Sequence, residues 1–285
     1  MAGNDYGWYP GHMTKSIRAI RDELKLVDLC IEVLDARVPM SSRNPDIDEL
    51  AKDKFRLIVL NKSDLADDKK TALWSEYFSQ LGVHTLILSA KEKKASDAVK
   101  KAAVLVCREK IERDKKRGIV GRPIRAMVCG IPNVGKSTLI NTITGKAPAR
   151  TGNKPGVTRS NQWVKTNAGI DLLDTPGLLW PKYEDKSVGF KLAAIGSVND
   201  QVINLVQLTG EVIEMMNELY PGVLASKYDI PEEQTVSGII KGAGIRCGLV
   251  VKGGEVDTQR ASEQILNDLR SGKLGKITLE VPDLK

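Results

Sequence analysis

Residues 130–137 have the composition and spacing of a phosphate-binding loop. They read Gly-Ile-Pro-Asn-Val-Gly-Lys-Ser, which fits the pattern G-x-x-x-x-G-K-[ST]. Glycine lets the backbone wrap closely around phosphates, and the N-terminus of the helix that follows favours the same anion. We expect Lys136 to contact the β and γ phosphates of a nucleotide and Ser137 to ligate Mg²⁺. The other residues assigned to the nucleotide here are Asn133, Val134, Gly135 and Thr138.

A second motif, D-x-x-G at residues 174–177, follows an apolar run that is typical of a strand. The pattern alone is weak, because chance gives about one per chain. Its position favours Asp174 as a support for Mg²⁺ and Gly177 as a sensor of the γ phosphate. Thr158 lies between the two motifs, and a loop there could supply a second Mg²⁺ ligand from its hydroxyl. A surface turn is the alternative for Thr158.

A third motif, Asn-Lys-Ser-Asp at residues 61–64, could select the base. The Asp64 carboxylate can accept hydrogen bonds from the N1–H and exocyclic amine of guanine, whereas adenine has no donors there. Sites built on such bonds discriminate by ~10⁴ or more. The alternative is a polar helix cap. At the next strand end, backbone N–H groups can reach guanine O6. We therefore assign guanine recognition to Asn61, Lys62, Asp64, Ser89 and Ala90.

These motifs need a scaffold that brings their loops together, and the apolar pattern predicts one. Strand-like runs alternate with helical segments, and the runs cover residues 27–34, 55–60, 85–88, 124–129 and 169–173. This alternation indicates an α/β fold with a mostly parallel sheet and helices on both faces. Each motif follows a strand, and ligands bind at the carboxyl ends of strands in such sheets.

Beyond about residue 181 the pattern changes to helices alone, predicted at residues 197–219, 232–241 and 257–270. We therefore expect two domains. Residues 1–181 would form the nucleotide-binding domain, and residues 182–285 a smaller all-helical domain. One further helix is predicted within the first domain, at residues 95–117.

The motifs occur in an unusual order, with the base motif before the phosphate loop. A compact domain tolerates such permutation when its original ends lie close together. This order, together with residues 8–15 and the Asp-Ala-Arg-Val-Pro at 35–39, resembles the circularly permuted ribosome-assembly GTPases. The resemblance covers nearly the whole chain, including residues 269–280. It implies a circularly permuted P-loop GTPase domain, hydrolysis of GTP to GDP, a role in maturation of the large ribosomal subunit, and a C-terminal RNA-binding domain.

The resemblance also suggests how water and cations are positioned. Many GTPases place Gln after D-x-x-G to orient the attacking water, but this chain has Leu178, a hydrophobic replacement that the family shares. The family resemblance offers His12 for that role, and an ordinary surface or structural histidine is the alternative. Asn133 matches the position that recruits K⁺ in cation-dependent relatives. Together with Lys136, these are the expected catalytic residues, and the cofactors are GTP or GDP, Mg²⁺ and K⁺.

The net charge of +7 is concentrated in one segment. Residues 91–125 contain 13 lysines and arginines against 5 acidic residues, whereas residues 200–285 contain 9 against 13. A concentrated basic segment favours a polyanionic partner, and a solvated helix face is the alternative. With the resemblance, the expected partner is the large ribosomal subunit, through rRNA and ribosomal proteins. In the acidic C-terminal region, contacts with RNA would have to come from local basic clusters such as Arg270, Lys273 and Lys276.

The sequence also bears on membrane insertion, cellular location and alternative functions. No apolar run reaches ~18 residues, so we expect no membrane span, and the first ten residues lack a signal or transit pattern, which favours the cytoplasm. A monomer that assembles on a particle is the simplest expectation. A GTPase that acts on small RNA or in membrane traffic is one alternative. A nucleotide-switched RNA-binding scaffold with little intrinsic hydrolysis is another, which Leu178 leaves open.

Overall fold

A computed structural model of the protein describes residues 22–145, 162–166, 169–175, 185–232 and 235–283. These residues form two compact units. The sheet unit comprises the described residues up to Thr175 together with Glu280 and those that follow it, and the helical unit comprises the described residues from Asp185 to Leu279. The domain boundary expected between residues 181 and 182 lies outside the described residues.

The sheet unit contains six strands and five helices among its described residues. The strands are β1 (Leu29–Asp35), β2 (Phe55–Asn61), β3 (His84–Ile87), β4 (Ile124–Cys129), β5 (Gln162–Lys165) and β6 (Ile170–Asp174). The helices are α1 (Asp46–Leu50), α2 (Asp68–Gln80), α3 (Lys94–Val106), α4 (Arg108–Lys116) and α5 (Lys136–Thr144).

The strands form one sheet in the order β3-β2-β1-β4-β6-β5. All neighbours pair in parallel except β5 and β6, so the predicted mostly parallel sheet is confirmed. The sequence pattern did not predict β5, because this edge strand is four residues long and only Val164 in it is buried. The register places Asp35 opposite Asn61 and Val128 opposite Asp174, which aligns the ends of the strands that carry the motifs.

Every residue of β1 is buried, as expected for a central strand covered on both faces. Its one acidic residue before the strand end, Glu32, is compensated by Arg56, whose guanidinium lies 3.1 Å from the carboxylate. Burial raises the pKa of Glu32, and the charges of Arg43 and Arg56 oppose that rise. The strand can therefore hold a carboxylate in the core because two arginines accompany it.

The helix predicted over residues 95–117 is divided at Cys107, which separates α3 from α4. The hydrogen-bond ladder continues through the break, because Cys107 N donates to Ala103 O and Ile111 N donates to Cys107 O. In α4 the buried ammonium of Lys110 pairs with Asp114 at 3.0 Å and with Asp28 at 3.5 Å. One basic residue of this predicted helix, Lys110, therefore has a structural role.

The helical unit contains α6 (Lys186–Ala194), a 3₁₀ turn (Asp200–Val202), α7 (Leu205–Leu219), α8 (Val223–Tyr228), α9 (Val236–Arg246) and α10 (Thr258–Arg270). The predicted helix at 197–219 begins only at Leu205, because the side chain of Asn204 caps it by accepting from Gln207 N. The predicted helix at 232–241 similarly begins after Thr235, which accepts from Gly238 N. None of the helices in the described ranges is both long and apolar enough to cross a membrane.

Candidate guanine-nucleotide site

The phosphate loop leaves β4 through backbone positions that only glycine can occupy. Gly130 has a φ of 143°, and a Cβ there would lie 2.4 Å from the carbonyl oxygen of Val33. Gly135 has a φ of 100°, and a Cβ there would lie 2.3 Å from Nδ2 of Asn61. Asn133, between them, adopts a left-handed φ of 63°. The two glycines of the motif are therefore required because other atoms of the protein, Val33 O and Asn61 Nδ2, approach them closely.

Lys136 begins α5 and is buried, with 6% of its surface exposed. Its ammonium donates to the carbonyl oxygen of Ile131 at 2.8 Å, so it is held across the phosphate loop. Burial lowers the pKa of Lys136 to about 8, against the charge of Asp174. Ser137 and Thr138 follow in the first helical turn and are half-buried. No N-cap side chain accepts from the first amides of α5, which suits an anion at that end.

One buried side chain, Asn61, joins three of the loops that the sequence assigned to the nucleotide. Its Nδ2 donates to Val134 O in the phosphate loop at 2.7 Å, and its Oδ1 accepts from Ala90 N at 2.8 Å. A further bond fixes the Ala90 carbonyl, which accepts from Thr142 Oγ1 of α5 at 2.6 Å. The base motif, the phosphate loop and the segment at Ser89 and Ala90 are therefore brought together.

Lys62 follows Asn61 in a left-handed conformation, with a φ of 60°. Its ammonium lies 2.8 Å from Oδ2 of Asp35. The Asp35 carboxylate also accepts two hydrogen bonds from the Arg37 guanidinium, at Oδ1 (2.9 Å) and at Oδ2 (2.8 Å). Burial alone would raise the pKa of Asp35, but the charges of Arg37 and Lys62 hold it well below its usual range. Burial lowers the pKa of Lys62, against the charge of Asp35. Asp64, by contrast, is exposed.

Asp174, at the end of β6, is 3% exposed, and its Oδ1 has no hydrogen-bond partner among the described residues. Burial raises the pKa of Asp174, and the charge of Lys136 opposes that rise. Its neighbour Thr175 is fixed by donating to Val128 O at 2.8 Å. A buried carboxylate oxygen without a donor is a suitable ligand for Mg²⁺ or for its bound water, so the residues present fit this cation.

Three predicted site residues, His12, Thr158 and Gly177, lie outside the described residues. Two residues of the described site were not assigned a role from the sequence, namely Asp35 and Arg37. They belong to the Asp-Ala-Arg-Val-Pro segment, which carries an acid and a base two positions apart at the end of a buried strand. That placement was the available signal for a buried ion pair.

The basic segment predicted at residues 91–125 presents most of its charge to solvent, and Lys110 is its one buried cation. Five exposed residues at the end of α4 and just after it form what we call the basic surface: Arg113, Lys115, Lys116, Arg117 and Arg122. In the helical unit, Arg270 is not available for an external partner. It makes a bidentate ion pair with Asp200 at 2.7 and 2.8 Å and donates to the carbonyls of Ala193 and Ala194.

Taken together, the described residues can hold a nucleotide at both ends. The phosphate loop and Lys136 offer donors and positive charge to phosphates, and the base motif is held against that loop by Asn61. Neutralising charge that develops on a transferred phosphoryl group is the main task of a protein in phosphoryl transfer.

Comparison with known proteins agrees with this geometry. A family model described as a 50S ribosome-binding GTPase matches residues 125–234. The chain is 43% identical over 277 residues to ribosome biogenesis GTPase A of Bacillus cereus, covering 97% of this chain and 94% of that relative.

Two solved structures are also similar. A GDP-bound structure of YlqF has a TM-score of 0.68 and 28% identity, covering 94% of this chain and all of that one. The crystal structure of GNP-bound YlqF from Thermotoga maritima has a TM-score of 0.67 and the same identity, covering 94% of this chain and 99% of that one.

Replacement of Asn61 by alanine tests the assembly of the site. Asn61→Ala leaves the buried Val134 carbonyl and Ala90 N–H without their partner, so we expect unfolding free energy to fall by about 2–4 kcal/mol and GDP affinity to fall at least about tenfold. Urea unfolding and titration with a fluorescent GDP analogue measure the two quantities. Asn199→Ala, which removes an exposed cap in the helical unit, is the matched control and should leave GDP affinity unchanged. Unchanged GDP affinity in Asn61→Ala would contradict the proposed arrangement.

Proposed function

The chain belongs to the ribosome biogenesis GTPase A family and hydrolyses GTP to GDP, and from this premise we propose that it binds the precursor of the large ribosomal subunit. Hydrolysis would be coupled to a late step in the assembly of that subunit. The observation that carries the nucleotide half of the proposal is the Asn61 amide, which joins the guanine motif to the phosphate loop. The basic surface supports the ribosomal half.

We assign the contacts with the nucleotide and with Mg²⁺ to individual residues as follows. Lys136 and the backbone at residues 133–138 bind the phosphates, and Asp64 accepts from the guanine edge. Ser89 and Ala90 lie beside guanine O6, with the Ala90 N–H itself donating to Asn61 Oδ1. Ser137 and Asp174 would hold Mg²⁺, with Thr158 as a further ligand. When bound, Mg²⁺ would neutralise charge on the β and γ phosphates. The unpartnered Asp174 Oδ1 supports this assignment.

Hydrolysis also needs a positioned water, and Leu178 has no group that could hydrogen-bond to it. We propose His12 for that role, since an imidazole can orient or accept from water near neutral pH. We also propose Asn133 as a ligand of K⁺, which would add positive charge near the phosphates. Both assignments rest on family resemblance at those positions.

The ribosomal partner would be contacted through phosphates of rRNA and through ribosomal proteins. In the sheet unit the basic surface offers five exposed cationic side chains, and phosphate neutralisation by such groups makes binding strongly dependent on salt. In the helical unit, Arg270 is occupied by Asp200. The exposed members of the predicted cluster are Lys273, whose ammonium lies 3.8 Å from Asp268, and Lys276. We propose that the protein acts in the cytoplasm as a monomer. Sedimentation of the isolated protein tests the oligomeric state, and fractionation of cells tests the location.

GTP turnover in potassium and sodium buffers, with and without purified large ribosomal subunits, tests the proposal as a whole. We expect the subunits to stimulate turnover strongly and the stimulated rate to be higher in potassium. Release of phosphate is the measurement. No stimulation in either salt would contradict the ribosomal role, and equal stimulated rates in the two salts would contradict the K⁺ assignment. Stimulated hydrolysis would also exclude a scaffold that holds GTP without turning it over.

The proposed role of His12 has its own test in the same assay. His12→Ala should reduce ribosome-stimulated turnover by about a hundredfold or more, because a positioned general base contributes that much. GTP affinity should not change. His84→Ala is the matched control, since His84 is an exposed residue at the start of β3. Unchanged stimulated turnover in His12→Ala would remove this residue from the mechanism.

Charge reversal on the basic surface tests the interaction with rRNA. The triple variant Arg113→Glu, Lys116→Glu and Arg117→Glu should weaken binding to large subunits. The salt dependence of that binding should fall by about one unit of slope for each phosphate that the variant no longer neutralises. Sedimentation at several salt concentrations measures both effects. A control with the same change in net charge reverses the exposed Lys52, Lys69 and Lys165, which lie outside residues 91–125. Equal weakening in the two triple variants would mean that net charge, and not this surface, governs binding.

A further inference from the structure

The end of the described chain returns to the sheet unit at Glu280, one residue after Leu279 of the helical unit. Its side chain is buried, and both carboxylate oxygens accept hydrogen bonds from residues that lie about 240 positions earlier. Oε1 accepts from Met40 N and from Ser41 N, the latter at 3.0 Å, and Oε2 accepts from Ser41 Oγ at 2.7 Å. The backbone carbonyl of Glu280 also accepts from Nε1 of Trp74 at 3.1 Å.

The carboxylate of Glu280 accepts from Met40 and Ser41, which together with Ser42 form a short segment that we call the 40–42 loop. This loop is bonded in turn to the end of β1. Ser42 Oγ accepts from Asp35 N at 3.0 Å, and Ser42 N donates to Val38 O at 2.9 Å. Val38 N donates to Asp35 O at 2.9 Å, which closes the turn that follows the strand. A carboxylate that fixes Met40 and Ser41 therefore fixes the backbone that carries Asp35.

Asp35 is the residue that holds Lys62. Their charged groups lie 2.8 Å apart, and Asp35 is fully buried while Lys62 is partly exposed. Lys62 is also in a left-handed backbone conformation, which a side chain adopts at a cost and which surrounding contacts must maintain. Hydrogen bonds from Glu280 to Met40 and Ser41, the backbone that leads to Ser42, and the bonds of Ser42 and Lys62 to Asp35 thus connect Glu280 to the base motif.

We propose that Glu280 is a positioning residue for guanine-nucleotide binding, acting through the 40–42 loop and Asp35 on Lys62. It does not touch the nucleotide. Its carboxylate fixes the turn that presents Asp35, and Asp35 fixes the lysine stem beside the base that Asp64 selects. This inference rests on the proposed assignment of residues 61–64 to guanine.

The experiment compares GDP affinity in full-length variants by titration with a fluorescent GDP analogue. Glu280→Ala should weaken binding about tenfold, since the Met40 and Ser41 donors are left without a charged acceptor. Glu280→Gln retains the shape and part of the acceptor capacity, so it should show a smaller effect and remain informative even if the alanine variant folds poorly. Asp283→Ala, three residues further on at an exposed position, is the matched control and should bind like the parent protein.

A second comparison separates positioning from general loss of structure. Lys62→Met removes the ammonium and keeps an unbranched stem. If Glu280 acts through Lys62, then Glu280→Gln should weaken binding in the parent protein and have little further effect in Lys62→Met, because the two changes interrupt the same connection. Equal effects of Glu280→Gln in both backgrounds would overturn the proposal, as would unchanged affinity in both Glu280 variants.

The underlying assignment of the base motif is tested separately with Asp64→Asn. Xanthine carries a carbonyl where guanine carries an amine, so an amide at position 64 should favour xanthosine diphosphate over GDP. Failure of that exchange would refute the assignment of residues 61–64 to guanine whatever the Glu280 variants do. A successful exchange with no effect of Glu280 would leave the assignment standing and refute only the positioning role.

Discussion

The side-chain amide of Asn61 connects loops that are far apart in the sequence, and the arrangement of the nucleotide site depends on it. An amide has a donor and an acceptor side, and here each is used on the backbone of a different loop, Val134 on one side and Ala90 on the other. The side chain is buried, so neither bond can be exchanged for one to water without cost. The same contact explains Gly135, whose absent Cβ makes room for the Asn61 nitrogen. Two motifs that look independent in the sequence thus constrain each other.

Burial of charge is the second constraint at this edge of the sheet. Asp35, at the end of β1, is fully buried, and such a group is tolerated when partners and hydrogen bonds surround it. Arg37 supplies a bidentate pair from two residues further on, and Lys62 supplies a second cation from the neighbouring strand end. The parallel register makes this possible, because it sets Asp35 directly opposite Asn61. A local ion pair therefore also holds the residue that follows Asn61 in an unfavourable backbone conformation.

The sequence predicted those parts of the fold and site that depend on local patterns. Apolar runs predicted five of the strands, and the spacing of glycine and lysine placed the phosphate loop after β4. Features set by tertiary contacts were not predicted. The edge strand β5 is short and has little apolar character, and the separation of α3 from α4 at Cys107 leaves the hydrogen-bond ladder intact. The pairing of Arg270 with Asp200, which lies 70 positions earlier, also has no local signal, although it removes a cation from those that could meet a polyanion.

The contact between Glu280 and residues 40–42 has a consequence for how the protein is made. Translation proceeds from the N-terminus, and N-terminal parts of a chain fold first. Strands β1 and β2, the phosphate loop and the base motif all leave the ribosome before Glu280 has been added. Until then Met40 and Ser41 have no carboxylate acceptor. A product of termination before residue 280 would contain all six described strands but not this acceptor, so the last bonds to the 40–42 loop form only on chains that have been translated through residue 280.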